Sequence, residues 1–226
     1  MKAVVLLSGG LDSSTVLYQA KVDGYECYAL SFDYQQRHRR ELESAQAIAR
    51  CAGVREHQII SFDLRQWGGS ALTDDAINLP EHRSLDEISQ NIPITYVPAR
   101  NTIFVSFGLS YAEAIGATAI YLGVNALDYS GYPDCRPDYI QAMQKVCELG
   151  TKQGREGQAI QISTPLINLK KTSIIQLGNQ LGVPWEHTWS CYTNGDMACG
   201  VCDSCQLRLA AFAELGLKDP LAYKND

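Results

Sequence analysis

A chain of 226 residues, 46% of them hydrophobic, suffices for one large domain, or a domain with a small appendage, around a buried core. Its 19 basic against 25 acidic residues leave a net charge of −6, which argues against a dedicated nucleic-acid binder, since phosphate partners call for a basic excess. No apolar run approaches the roughly 20 residues of a membrane span, and the apolar start at 3–7 meets Ser8-Gly9-Gly10 without a signal-peptide pattern, so a cytoplasmic protein with no membrane partner is expected.

Residues 2–7 read as a buried strand. Residues 12–21 follow as a helix with Val16, Leu17 and Ala20 on one face, and 25–32 as a second strand. A long helix is expected over 37–52, with Leu42, Ala45, Ile48 and Ala49 at helical spacing and Gly53 as its stop. Its first residues, Arg37-His38-Arg39-Arg40, form the one dense basic run and read as a solvated helix start. A third strand covers 54–62. Residues 63–97, broken by Pro80 and Pro93, form a long excursion with short helical pieces, a length often tied to function. Then come a helix at 101–115 ended by Gly116, a strand at 117–122, a helix at 137–149 and a strand at 159–163. Asn168 is placed to cap a helix running to Gly182, and a short helix at 206–215 closes the pattern. Such alternation predicts an α/β fold: a doubly wound, mainly parallel five-stranded sheet whose ligand lies beyond the strands' carboxyl ends. The division expected is an α/β domain at 1–186 and a cysteine-bearing unit with its helix at 187–226.

Leu7-Ser8-Gly9-Gly10-Leu11-Asp12-Ser13-Ser14 joins the first strand to the first helix. Two glycines let the backbone turn tightly and bring N–H groups up to an anion. Serine hydroxyls add donors, and the helix N-terminus adds partial positive charge. The spacing is neither a Walker A loop nor a dinucleotide fingerprint; an ordinary strand–helix turn is the plain alternative. Near the other end, Cys191, Cys199, Cys202 and Cys205, half of the eight cysteines, crowd into fifteen residues. Four thiolates at such spacing suit a structural, tetrahedral zinc site, with Gly200 easing the turn. A redox-active pair is the competing reading.

Ser8-Gly9-Gly10-Leu11-Asp12-Ser13 resembles the Ser-Gly-Gly-x-Asp-Ser signature of the ATP pyrophosphatase, or PP-loop, family. The resemblance implies an adenine nucleotide α-hydrolase-like fold and transfer of AMP from ATP to a substrate oxygen. It also implies that Leu7, Ser8, Gly9, Gly10, Leu11, Asp12, Ser13, Ser14, Thr15, Val16 and Leu17 grip ATP, with Asp12 ordering the loop and meeting Mg2+. Pairing this loop with the four cysteines narrows the field. Phe32-Asp33-Tyr34-Gln35-Gln36-Arg37-His38, Val97-Pro98-Ala99-Arg100-Asn101, Gly131-Tyr132-Pro133-Asp134-Cys135-Arg136 and Thr164-Pro165-Leu166 are similar to the QueC family, a likeness running from Lys2 to about Leu215. Gln35 departs from it, because the family commonly has glycine there.

That resemblance implies an ATP-dependent ligase that converts 7-carboxy-7-deazaguanine and ammonia to 7-cyano-7-deazaguanine through an adenylated intermediate, toward queuosine. Its cofactors would be ATP, Mg2+ and Zn2+, its partners small molecules rather than nucleic acid, and its state a homodimer. Lys171, at the spacing of the family's lysine, would neutralise the α-phosphate, with Lys170 as the adjacent alternative. Arg100 would fork onto a carboxylate or phosphate. Asp128, just after a strand, would bind magnesium, and Asp134 and Arg136 would hold the deazaguanine edge. Cys135 is either a nucleophile or, as is usual, a buried thiol. The rival within the fold is a tRNA-modifying enzyme of the thiolase or lysidine-synthetase type, which would need a basic face and a further RNA-binding domain. A non-enzymatic regulator using the cysteines would have no need of the phosphate loop.

Overall fold

The computed structural model describes residues 1–37, 39–84, 88, 92–127, 132–193 and 195–224. Strands β1 (Lys2–Leu6), β2 (Glu26–Asp33), β3 (Glu56–Ser61), β4 (Ala119–Tyr121) and β5 (Gln161–Ser163) form one sheet in the order β3-β2-β1-β4-β5, every pair parallel. Residues alternate in side along each strand. Val4, Leu30, Phe32 and Ile120 enter one core, while Ala3, Val5, Ala29 and Ala119 enter another on the opposite face. The first core is covered by α3 (Arg100–Ile115) and α4 (Pro137–Gly150), the second by α1 (Leu11–Val22), α2 (Arg40–Ala52) and α5 (Lys171–Leu181). Both faces are buried, so the doubly wound arrangement expected from the alternation is what the chain adopts. Small residues on the second face let α1 lie close, with Val16, Leu17 and Ala20 fully buried against it.

Strand positions match the expectation, with ends shifted by a residue or two. Three helix starts do not. The second helix begins at Arg40 rather than 37, because Gln35 turns the chain with φ +63° and Arg37 is drawn to the excursion, its N–H donating to the Leu72 carbonyl (3.3 Å). Asn168 caps nothing: the helix starts at Lys171 after Lys170. Residues 164–169 are spent on a turn, closed by Ile167 N–H to Thr164 O (3.2 Å) and Leu169 N–H to Leu166 O (3.0 Å). The last helix, α6 (Asp203–Glu214), starts three residues earlier than 206, with Cys202 as its N-cap and Cys205 in its first turn.

The excursion is anchored rather than loose. Leu64, Ala71, Leu72, Thr95 and Val97 are buried. Glu81 bridges to Cys202, and His82 N–H donates to Val201 O (3.0 Å). Arg83 Nε donates to Asp203 Oδ1 (3.0 Å), so the excursion is tied directly to the cysteine segment.

Candidate functional site

The strand order reverses between β1 and β4, and the crevice beyond their carboxyl ends is where such sheets bind ligands. A cavity of about 270 Å³ lies there. Ser8, Gly10, Leu11, Asp12 and Ser13 line it from the loop after β1, and Gly123, Val124 and Asn125 from the turn after β4. Arg100 and Asn101 enter from the start of α3, Lys171 from the start of α5, and Trp189, Ser190, Tyr192 and Arg208 from the C-terminal segment.

Within the loop, each glycine has its own task. Gly9 sits at φ +80°, and a Cβ there would lie 2.4 Å from Ala45 N and 2.5 Å from Glu41 O, inside the first turns of α2. Gly10 has ordinary extended geometry, and its missing Cβ would meet only Ser8 Oγ at 3.3 Å and Trp189 O at 3.6 Å. Its bareness therefore serves the cavity. The hydroxyls of Ser8 and Ser13 are 3.0 Å apart. Ser8 N–H donates to Ser13 Oγ (3.2 Å), Gly10 N–H to Ser8 Oγ (3.3 Å), and Ser13 Oγ to Gly10 O (3.2 Å), which fixes the loop without a ligand. No side chain caps α1, so its first-turn N–H groups have no intrahelical acceptor and add positive potential at the cavity. The turn after β4 comes up against this end: a Cβ on Gly123 would be 2.9 Å from Ser13 N. Ser14, Thr15, Val16 and Leu17 are buried in α1 behind the loop and do not reach the cavity.

Asp12 and Lys171 meet at the rim. Lys171 Nζ lies 2.8 Å from both carboxylate oxygens of Asp12, and the two side chains are only 12% and 21% exposed. Lys170 is the N-cap of α5 and takes no part in the lining. Arg100 donates to Tyr34 Oη (3.2 Å) and packs beside the rings of Tyr34 and Phe104. Among the described residues no carboxylate forms an ion pair with it. Asp134 is buried, and its carboxylate accepts the Asn101 N–H (3.0 Å), satisfying an open donor of α3's first turn. Asn101 Nδ2 also donates to the Asp134 carbonyl (3.2 Å) and Cys135 Sγ (3.3 Å). Burial, and then the charge of Asp134, push the Cys135 thiol up to about 12, leaving it a neutral thiol at physiological pH. Arg136 stands outside the cavity, 60% exposed and 3.7 Å from Asp138. Asp128 falls outside the described residues. The residues missed by sequence reasoning are Tyr34, Asn101, Gly123, Tyr132, Trp189 and Arg208. Tyr34, Asn101 and Tyr132 lay within the segments quoted for the resemblance, while nothing local marked Trp189 or Arg208.

The four thiols of Cys191, Cys199, Cys202 and Cys205 lie within 4.8 Å of one another. A tetrahedral ion with bonds of about 2.3 Å sets sulfurs about 3.8 Å apart, so the cluster fits one thiophilic metal ion. Backbone N–H groups of Cys199 and Thr193 point at Cys191 Sγ (3.3 and 3.4 Å), and that of Cys202 at Cys199 Sγ (3.3 Å). Cys191 is pushed well below the ordinary thiol range by hydrogen bonds from Cys202 and Cys205, helped by the Cys199 amide. The knuckle is joined to the phosphate loop, because Trp189 N–H donates to Gly9 O (2.9 Å). Behind it, the buried Arg208 forks onto Asp219 (2.6 and 2.9 Å) and reaches Thr188 Oγ1 (2.8 Å).

The family model described as "Queuosine biosynthesis protein QueC" matches residues 2–216. A relative from Nostoc punctiforme named 7-cyano-7-deazaguanine synthase is 77% identical over 99% of this chain and 100% of its own. One from Desulfitobacterium hafniense with the same name is 55% identical over 99% of this chain and 94% of its own. Among solved structures, a 4-thiouridine synthetase in complex with RNA and bound ATP superposes with a TM-score of 0.51 at 17% identity, over 95% of this chain and 50% of that one, a likeness of fold alone. Among the described residues no helix is long and apolar enough to cross a membrane.

Proposed function

The chain belongs to the QueC family, and from that premise we propose that it is an ATP-dependent carbon–nitrogen ligase converting 7-carboxy-7-deazaguanine and ammonia to 7-cyano-7-deazaguanine. The observation that carries the chemistry is the phosphate loop facing Lys171 and Arg100 across one cavity at the strand-order reversal. A carboxylate is a poor electrophile, so ammonia does not displace its oxygen near neutral pH. Attack of the carboxylate on the α-phosphorus forms an O–P bond and breaks the bond to pyrophosphate. The loop N–H groups and the α1 terminus hold the departing pyrophosphate. Ammonia then attacks the carbonyl carbon and AMP leaves, giving the amide. A second activation on the amide oxygen, followed by loss of AMP and of both amide protons, gives the nitrile.

In this reading Lys171 neutralises charge gathering on the α-phosphate, leaving Asp12 as it moves. Arg100, hydrogen-bonded to the Tyr34 phenol and in no ion pair among the described residues, takes the substrate carboxylate. Asp134 acts by holding Asn101 and the α3 start in place rather than by reaching substrate. Asp12 retains lone pairs beyond those facing Lys171, which suits Mg2+, an ion that would neutralise phosphate charge; Asp128 remains the second proposed ligand. Zinc is the metal proposed for the four cysteines, where it would contribute folding energy. The acidic balance favours work on small molecules rather than nucleic acid, and a cytoplasmic location and the homodimer of the family resemblance are part of the same proposal.

The test is turnover from purified components. 7-Carboxy-7-deazaguanine, ATP, magnesium and ammonium should suffice, glutamine should not replace ammonium, and the 7-amido compound should appear transiently. Supplied alone, that amide should become nitrile only with ATP present; an inert amide would overturn the double activation.

A further inference from the structure

We infer that His57 and Ser31, two residues outside the cavity, position the phosphate loop for ATP; the inference rests on that loop being the ATP site. β1 ends at Leu6, and Leu7 is where the chain must leave the sheet and start the loop. The Leu7 N–H still bonds to Leu30 O (2.9 Å) as the ladder continues. Its carbonyl is instead taken by the side-chain hydroxyl of Ser31 on β2. A serine hydroxyl has one proton, and here it is given to Leu7 O. The contact of 2.7 Å between Ser31 Oγ and His57 Nε2 must then be donated by the imidazole N–H.

His57 comes from β3, where it is paired in register with Ala29 and so presents its side chain on the face that also carries Ser31. The Leu7–Ser8 peptide is thereby held at both ends. Its carbonyl is fixed by Ser31, and its N–H donates to Ser13 Oγ (3.2 Å). Ser13 in turn bonds Gly10 O (3.2 Å). One chain of hydrogen bonds therefore runs from the sheet's edge strand through Ser31 and the Leu7–Ser8 peptide to both ends of the loop. Ser31 is fully buried, and neither it nor His57 lines the cavity. Their influence on ATP must pass through the peptide plane they orient. A plane turned away would move the Ser8 N–H off Ser13 and disturb the loop before any ligand arrives.

The experiment compares Ser31→Ala, Ser31→Thr, His57→Phe and His57→Gln in the full chain, measuring KM for ATP, KM for the carboxylate substrate, kcat and thermal melting. Ser31→Ala should raise KM for ATP about tenfold, the equilibrium value of one ordinary buried hydrogen bond, with the KM for the carboxylate unchanged. Ser31→Thr keeps the hydroxyl and should restore ATP affinity; His57→Gln keeps a donor and should do better than His57→Phe. The double variant Ser31→Ala/His57→Phe should be no worse than Ser31→Ala, because both remove one relay. His57 is half-exposed on an edge strand, so its variants supply the answer should Ser31→Ala not fold. A normal KM for ATP in Ser31→Ala and His57→Phe, or a Thr variant as impaired as the Ala one, overturns the inference. Gly10→Val separates the two readings. Lost ATP binding there alongside a normal Ser31→Ala sinks the relay alone, whereas retained ATP binding in Gly10→Val removes the phosphate-loop reading and the relay with it.

Discussion

At the scale of single residues, Gly9 and Gly10 look alike in the sequence and are set apart by what surrounds them. Gly9→Ala would drive a Cβ into the α2 backbone at a left-handed φ, so it should lower the melting temperature sharply. Gly10→Val should melt nearly as the parent does yet lose ATP binding, because Gly10 lines the cavity and a Cβ there would meet nothing tighter than Ser8 Oγ (3.3 Å) and Trp189 O (3.6 Å). Calorimetry of both variants checks this, and wild-type ATP affinity in Gly10→Val would sink the assignment. Lys171 is the other decisive residue. Its ammonium is held by Asp12 within a part-buried rim. Lys171→Ala should cut kcat about a hundredfold, the scale of losing one electrostatic stabiliser, and weaken ATP binding less. Near-normal turnover would return it to a structural ion pair.

At the scale of elements, the start of α2 depends on the turn at Gln35. Its φ of +63° is a conformation that costs a non-glycine residue roughly 1–2 kcal/mol. Part of this is recovered where the Gln35 side chain accepts from Arg39 and where its backbone N–H donates to Asp33 Oδ1 (3.1 Å). The Asp33 bond is made by the backbone and survives substitution. Gln35→Gly should therefore raise the melting temperature by about 2 °C, with less than the full gain because glycine is freer in the unfolded chain. A fall, measured by calorimetry, would show that the Arg39 contact outweighs the strain. The same physics governs α6. Bringing Cys205 into its first turn places the thiol beside the other three and moves the helix start three residues ahead of the expected 206.

At the scale of the whole molecule, the cysteine knuckle is a wall of the candidate cavity as much as an appendage. It grips the phosphate loop through Trp189, holds the excursion through Cys202 and Asp203, and is backed by the buried Arg208–Asp219 pair. Removing the metal with a chelator, or replacing Cys202 by Ala, should lower metal content, melting temperature and ATP affinity together, since binding energy at such a site is folding energy. An unchanged melting curve in metal-free protein would show the cluster to be dispensable. By itself the sequence determined the parallel alternating architecture and pointed to the glycine–serine loop after the first strand and to the four clustered sulfurs. Those rest on short-range patterns: strand and helix periods, two adjacent glycines, cysteines a few residues apart. Only the tertiary structure decided that Lys171 meets Asp12 across 159 positions, that Asp134 serves α3 while Arg136 faces solvent, and that Trp189 and Gly123 close on the loop. Such contacts join segments distant in the chain, and their partners are chosen by how the helices pack on the twisted sheet, which no local pattern encodes.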